Sequence, residues 1–85
     1  MLALRYTKSA IKTLLKMPGG VAKRMRVELE KVAKSPAAYR GDWKPLQGSG
    51  FWRLRVGEWR AICEPRADEL VLLVVKIAPR GDAYK

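Results

Sequence analysis

The sequence predicts an α+β fold in which an N-terminal strand and a helical hairpin precede a three-stranded antiparallel meander, with the helices packed on one face of the sheet. Three observations predict this order of elements. Residues 8–34 carry apolar side chains at helical spacing, with lysines and arginines between them. Residues 51–56 alternate between apolar and basic side chains, which is typical of a strand with one buried face. Residues 70–77 are almost continuously apolar, as expected for a central strand buried on both faces.

The N-terminal half is predicted to form one strand and two paired helices. Residues 2–6 alternate weakly and predict the first strand, and Thr7 is a suitable N-cap for a helix over residues 8–17. The segment 18–20, Pro-Gly-Gly, is expected to end that helix and turn the chain into a second helix over residues 21–34. The apolar side chains expected to face the core are Ala10, Ile11, Leu14, Leu15, Val21, Met25, Leu29 and Val32.

The C-terminal half is predicted to form a loop and the meander. Residues 37–50 are rich in glycine and proline and predict a loop, in which Trp43 and Leu46 are expected to dock on the domain. For Trp43, a core-edge position and a partner contact remain equally open, whereas Trp52 and Trp59 are interpreted as core residues. The three strands are predicted over residues 51–56, 59–64 and 70–77, with a tight turn at Gly57 and Glu58.

Composition limits the classes of function. The 85 residues predict one domain, residues 1–85, with 18 basic against 8 acidic side chains and a net charge of +10. This excess favours a polyanionic partner, nucleic acid before an acidic protein. The absence of histidine excludes a histidine base or ligand, the single Cys63 cannot form an internal disulfide, and no cofactor is predicted. With no signal-like segment and no apolar run of about 20 residues, a cytoplasmic protein without membrane contact is expected.

The arginines of the meander form the candidate site. Arg53 and Arg55 lie side by side on the outward face of the predicted strand, and two adjacent guanidinium groups match the oxygens of a phosphate. The meander is expected to gather these and three later residues at one end of a sheet face, in a positive cleft with an aromatic edge. The alternative is a set of surface arginines that pair with Glu58, Glu64 and Asp82. The five candidate residues are Arg53, Arg55, Arg60, Arg80 and Tyr84.

Three parts of the chain resemble the RelE/ParE toxin superfamily of prokaryotic toxin–antitoxin systems. They are the step Lys44–Gly48, the strand and turn Trp52–Arg60, and the late pair Arg80 and Tyr84. They match a K-L-x-G step, an aromatic-basic-apolar-basic strand, a G-(D/E)-aromatic-R turn, a late arginine and a near-terminal tyrosine. The resemblance extends over essentially the whole chain and its order of elements.

In its RelE branch the resemblance implies a metal-independent, ribosome-dependent endoribonuclease, which cleaves mRNA in the ribosomal A site by attack of the 2′-hydroxyl and so inhibits translation. Arg53 and Arg55 match two basic strand positions that are lysines in the best-known members. Arg60 and Arg80 match the later arginines, and Tyr84 matches a tyrosine that stacks on a base. The implied partners are a RelB-like antitoxin, mRNA and the ribosome, and the resemblance leaves room for a toxin–antitoxin hetero-oligomer that binds operator DNA.

Two other functions stay open beside this one. ParE-like members share the fold and act on DNA gyrase, so a non-enzymatic gyrase inhibitor is the main alternative, and a plain RNA-binding domain is the third. The base of a nuclease is also open, because arginine stays protonated and Arg53 and Arg55 are poor proton acceptors. Tyr84, Glu58, Glu64, solvent or the ribosome could take that role. Positioning and charge stabilisation are therefore expected to dominate, and the isolated chain is expected to cleave free RNA slowly.

Overall fold

The structure is a computed structural model that describes residues 1–79 of the chain. In chain order its elements are β1 (Ala3–Tyr6), α1 (Lys8–Lys16), α2 (Gly19–Lys34), β2 (Asp42–Pro45), β3 (Trp52–Val56), β4 (Trp59–Arg66), a 3-10 turn (Ala67–Glu69) and β5 (Val71–Pro79). The strands form one sheet in the order β1-β5-β4-β3-β2, in which β1 and β5 are parallel and the other neighbours antiparallel. The predicted α+β class, with a strand, two helices and an antiparallel meander, is confirmed.

Capping residues decide where the two helices begin. The Thr7 hydroxyl accepts a hydrogen bond from the backbone N–H of Ala10 at 3.2 Å, which satisfies a donor that has no partner inside α1. Only Met17 and Pro18 separate the helices, so the predicted glycine turn is wrong: both glycines belong to the first turn of α2. Pro18 explains the early start, because its fixed φ suits the entry to a helix. Within residues 1–79, neither helix has the length and apolar content needed to cross a bilayer.

The core lies between the helices and one face of the sheet, which we call the inner face. On α2, Met25, Leu29 and Val32 are fully buried, as predicted. On α1 the set of apolar residues predicted to face the core is too large. Ala10 is buried, whereas Ile11 and Leu15 are 45% and 81% exposed. The nine-residue α1 rests mainly on β5 rather than on α2, so only a narrow strip of it is covered. The inner-face residues buried against the helices are Leu54, Val56, Ala61, Cys63, Leu72, Val74 and Ile77.

The predicted loop over residues 37–50 contains the edge strand β2. Trp43 lies opposite Leu54 of β3, and its ring stacks on Trp52 with centroids 5.1 Å apart and planes at 20°. Trp43 also packs against the core, as one of its two interpretations required. The sequence conceals this strand because it has only four residues and ends on Pro45, a residue that sheets accept at edges.

A bulge in β5 changes the face that its side chains occupy. Val74 lies opposite Cys63, but the next paired residue, Lys76, lies opposite Ile62, so Val75 is an extra residue. Because side chains alternate along a strand, one extra residue exchanges the two faces from that point on. The prediction that this strand is buried on both faces is wrong, since Val75 and Lys76 are only half-buried.

Candidate nucleic-acid interface

The candidate site lies on the outer face of the sheet, away from the helices. Leu54 and Val56 of β3 are buried on the inner face, so the alternating Arg53 and Arg55 lie on the outer face. Arg60 of β4 lies directly opposite Arg55, so it shares that face. The register therefore brings three of the five predicted site residues together on a surface that neither helix covers.

Two lysines lie on the same face and were not among the predicted site residues. Lys44 of β2 lies opposite Arg53, and Lys76 of β5 lies opposite Ile62, which itself lies opposite Arg53. The only signal for Lys76 was that it is the single charged residue in the apolar run of residues 70–77, and the bulge that directs it outward leaves no mark in the sequence. We call this group of five outer-face cations the basic face: Lys44, Arg53, Arg55, Arg60 and Lys76.

Asp42 of β2 lies on the same face, directly opposite Arg55. Its Oδ1 accepts a hydrogen bond from the Arg53 guanidinium at 2.6 Å, and the Arg53 side chain is only 14% exposed. This partner differs from the three carboxylates that the sequence suggested. Within residues 1–79 no carboxylate forms an ion pair with Arg55 or Lys76. The basic face therefore combines one neutralised arginine with two cations, Arg55 and Lys76, that pair with no carboxylate of residues 1–79.

The two glutamates suggested as bases have other surroundings. Glu64 accepts a hydrogen bond from Nε of Arg66 at 2.7 Å, at the end of β4 remote from the turn. Glu58 lies in the exposed turn between β3 and β4, where it lines a cavity of about 360 Å³ together with Arg24 of α2. In the described part of the chain neither glutamate forms an ion pair with a cation of the basic face.

The floor of the basic face is partly apolar. Ile62 and Ala78 are 7% and 5% exposed, and Leu46 and Phe51 pack against them from the segments flanking β2 and β3. Leu46 thus docks on the domain as predicted, though on the outer face. An apolar patch among cations can hold a nucleobase or ribose while the guanidinium groups contact phosphate. Arg80 and Tyr84 lie outside the described residues, so their predicted roles stay predictions.

Two further titratable groups are structural. The Tyr39 hydroxyl donates a hydrogen bond to Oε1 of Glu28 at 2.6 Å, which lowers the pKa of Glu28, while burial and this carboxylate raise the pKa of Tyr39. The Tyr39 ring lies over Gly41, where any Cβ would collide with it. This contact fixes the segment between α2 and β2. Burial raises the pKa of Cys63 to about 12, so its thiol is not a nucleophile at neutral pH.

A protein-family comparison agrees with this architecture. The family described as the ParE toxin of the type II toxin–antitoxin system parDE matches residues 4–84. The chain belongs to this toxin family. The resemblance to the RelE/ParE superfamily is thereby confirmed, and the protein is a toxin of a type II toxin–antitoxin system. No curated protein matches the sequence.

Solved structures share the toxin's fold over nearly its whole length. RelE in the archaeal RelE–RelB complex from Pyrococcus horikoshii OT3 is 24% identical, with a TM-score of 0.82 over 96% of this chain and 98% of that chain. The intact E. coli RelBE complex gives 16% identity and a TM-score of 0.80 over 96% and 99% of the two chains. The YoeB/ParE toxin from Agrobacterium tumefaciens is 19% identical, with a TM-score of 0.78 over 93% of this chain and 99% of that chain. At these identities the likeness shows the fold alone.

Proposed function

We propose that this toxin is an endoribonuclease that cleaves mRNA in the ribosomal A site and so inhibits translation. The observation that supports it is the basic face, where arginines from two adjacent strands share a surface that the helices leave open. Arg55 and Arg60 lie directly opposite each other, so their side chains can reach the same bound anion. A phosphate bound there can accept hydrogen bonds from both guanidinium groups.

Cleavage proceeds by attack of the ribose 2′-hydroxyl on the adjacent phosphate, which leaves a 2′,3′-cyclic phosphate and a 5′-hydroxyl. The basic face stabilises the charge that develops on the phosphoryl oxygens, and donors placed in this way contribute about 2.7–4 kcal/mol each. We assign this role to Arg53, Arg55, Arg60 and Arg80. Tyr84 stacks on an unpaired base, an interaction of about 1–3 kcal/mol.

The ribosome supplies what the toxin lacks. The basic face can hold a phosphate, but Asp42 is paired with Arg53, Glu64 is paired with Arg66, and Glu58 lines the cavity beside α2. Positioning of the message in the A site supplies an in-line geometry, and such positioning can lower a barrier by about 7–11 kcal/mol. Free RNA is therefore a poor substrate for the isolated toxin.

The toxin's partners follow from the same proposal. An antitoxin of the RelB type, acidic or amphipathic, covers the basic face or displaces an element that the cleft needs. The +10 charge of the toxin suits such a partner and the cytoplasm that holds message and ribosomes. A toxin–antitoxin hetero-oligomer binding operator DNA belongs to the same proposal.

The deciding experiment maps mRNA ends by primer extension after induction of the toxin. We expect cuts between codon positions on translated messages, and the same cuts on programmed ribosomes with purified toxin. Arg55→Gln, Arg80→Ala and Tyr84→Ala are each expected to reduce them, whereas Lys23→Gln on the exposed side of α2 is not. Toxicity that survives the three site substitutions, with no cuts on translated messages, contradicts the nuclease.

Inhibition of DNA gyrase is the second candidate, because the matching family is that of the ParE toxin. Here the basic face serves as a protein interface and no bond is cleaved. The purified toxin would then block supercoiling by gyrase and induce DNA-damage signalling, while messages stay intact. Intact supercoiling activity at saturating toxin would exclude this candidate.

A further inference from the structure

Lys76 is one of the two cations of the basic face, with Lys44, that the proposed reaction does not yet use. It lies half-buried near the middle of the sheet, opposite Ile62 and in one row with Arg53. Two strand spacings separate Lys76 and Arg53, about 10 Å between their backbones. Arg60 lies opposite Ala78, so Lys76 is its diagonal neighbour, at about 7–8 Å. Long side chains cover such distances, so Lys76 and the arginines can contact one bound nucleotide.

The bulge places Lys76 there. With regular alternation Lys76 would follow Leu72 and Val74 onto the inner face, in the core. The extra residue Val75 turns it outward instead. The Thr7 hydroxyl donates to the carbonyl oxygen of Val75 at 2.6 Å, and the Thr7 N–H donates to that of Val74 at 3.0 Å. Bulges that redirect a side chain are common beside active sites.

Its chemistry differs from that of its neighbours. Arginine cannot give up a proton at any pH at which RNA survives, whereas a lysine ammonium can donate a proton and take it back from water. Asp42 forms its ion pair with Arg53, and Lys76 forms no ion pair with a carboxylate of residues 1–79. The other lysine of the face, Lys44, is exposed on the edge strand at the far end of the same row.

We propose that Lys76 donates the proton that the departing 5′-oxygen requires. This role rests on the proposed nuclease function. As the bond from the 2′-oxygen to phosphorus forms, a water molecule accepts the 2′-hydroxyl proton. As the bond from phosphorus to the 5′-oxygen breaks, the ammonium of Lys76 protonates that oxygen, and the resulting amine regains a proton from water. Arg53 and Arg55 stabilise the negative charge on the phosphoryl oxygens, a role that suits side chains that stay protonated.

A substrate with sulfur in place of the bridging 5′-oxygen isolates this step, because a thiolate leaves without a proton. We compare messages carrying oxygen or sulfur at the scissile linkage on programmed ribosomes. Lys76→Met, which keeps the length of the side chain, should lower single-turnover cleavage of the oxygen substrate about 100-fold or more, as loss of a general acid does. On the sulfur substrate it should remain within about threefold of the parent toxin.

Two companion variants separate proton donation from charge. Lys76→Arg keeps the positive charge. It should still cleave the oxygen substrate much more slowly than the parent toxin, but it should cleave the sulfur substrate. Lys44→Met removes a lysine from the same row. It should lower the cleavage rates of both substrates by a similar factor, smaller than the loss expected for Lys76→Met on the oxygen substrate. Circular dichroism and thermal unfolding confirm that each variant is folded before its rate is compared.

The outcomes are distinct. Equal losses of Lys76→Met on both substrates, or no loss on either, overturn the proton-donor role while the nuclease stands. A parent toxin that cleaves neither substrate overturns the nuclease function, and the role of Lys76 with it.

Discussion

At the scale of single residues, the ion pair between Asp42 and Arg53 keeps one cation of the basic face in a fixed position. Asp42→Asn leaves a guanidinium that is 14% exposed without its charged partner. The Asp42 side chain is 37% exposed, so water moderates the effect, and we expect unfolding free energy to fall by about 1–2 kcal/mol.

Urea unfolding measures this change. The control is Asp68→Asn in the exposed 3-10 turn, expected to stay within about 0.5 kcal/mol of the parent. A loss as small in Asp42→Asn as in the control would show that the ion pair adds nothing to stability.

The hydrogen bond between Tyr39 and Glu28 predicts a pH dependence of stability. Tyr39→Phe removes it and should cost about 1 kcal/mol at neutral pH. The bond lowers the pKa of Glu28 below its ordinary 4.5, so its contribution is complete above that value and is lost as the pH falls through the lowered pKa. The stability difference between parent and variant should therefore shrink in acid.

Unfolding midpoints in urea at a series of pH values below 6 test this dependence. Ser9→Ala on the exposed surface of α1 gives the background pH trend. A difference between parent and Tyr39→Phe that grows toward low pH would reverse the assigned sign.

At the scale of elements, regular patterns were predictable and local exceptions were not. The alternation at residues 52–56 and the glycine turn at Gly57, which adopts φ of +59°, set both the strand and the face of its arginines. The strand β2 is too short for alternation to identify, and it carries Asp42, so the partner of Arg53 was missed with it. The bulge at Val75 depends on contacts between distant segments, which no local pattern encodes.

The hairpin of β2 and β3 offers a test of its aromatic pair. Trp43 and Trp52 stack on the inner face, so they should stabilise the fold rather than contact RNA. Trp52→Ala should cost about 3 kcal/mol, and a double-mutant cycle with Trp43→Ala should give a coupling of about 0.5–1.5 kcal/mol.

Chemical denaturation gives the unfolding free energies for the double-mutant cycle. The affinity of each variant for a single-stranded RNA, measured at low temperature, gives the functional comparison. RNA affinity of the folded single variants should match the parent. A large loss of affinity at full folding would instead assign these rings to the ligand.

At the scale of the whole molecule, net charge alone does not locate the site. The two helices carry much of the excess of basic over acidic residues, yet they lie on the side of the sheet opposite the basic face. Attraction of a polyanion over long distances uses all of this charge, whereas release of counterions reports only the cations that contact phosphate. Two variants with the same net charge can therefore be told apart by their salt dependence.

Arg55→Gln and Lys23→Gln each remove one positive charge, the first from the basic face and the second from the exposed surface of α2. With single-stranded RNA, the slope of log affinity against log salt should become shallower by about 0.7 for Arg55→Gln, the loss of one phosphate contact, and should not change for Lys23→Gln. Fluorescence anisotropy over a range of KCl concentrations gives both slopes. Equal slopes for the two variants would mean that RNA contacts the helical side as much as the sheet. That result would contradict the proposal that the basic face binds the substrate.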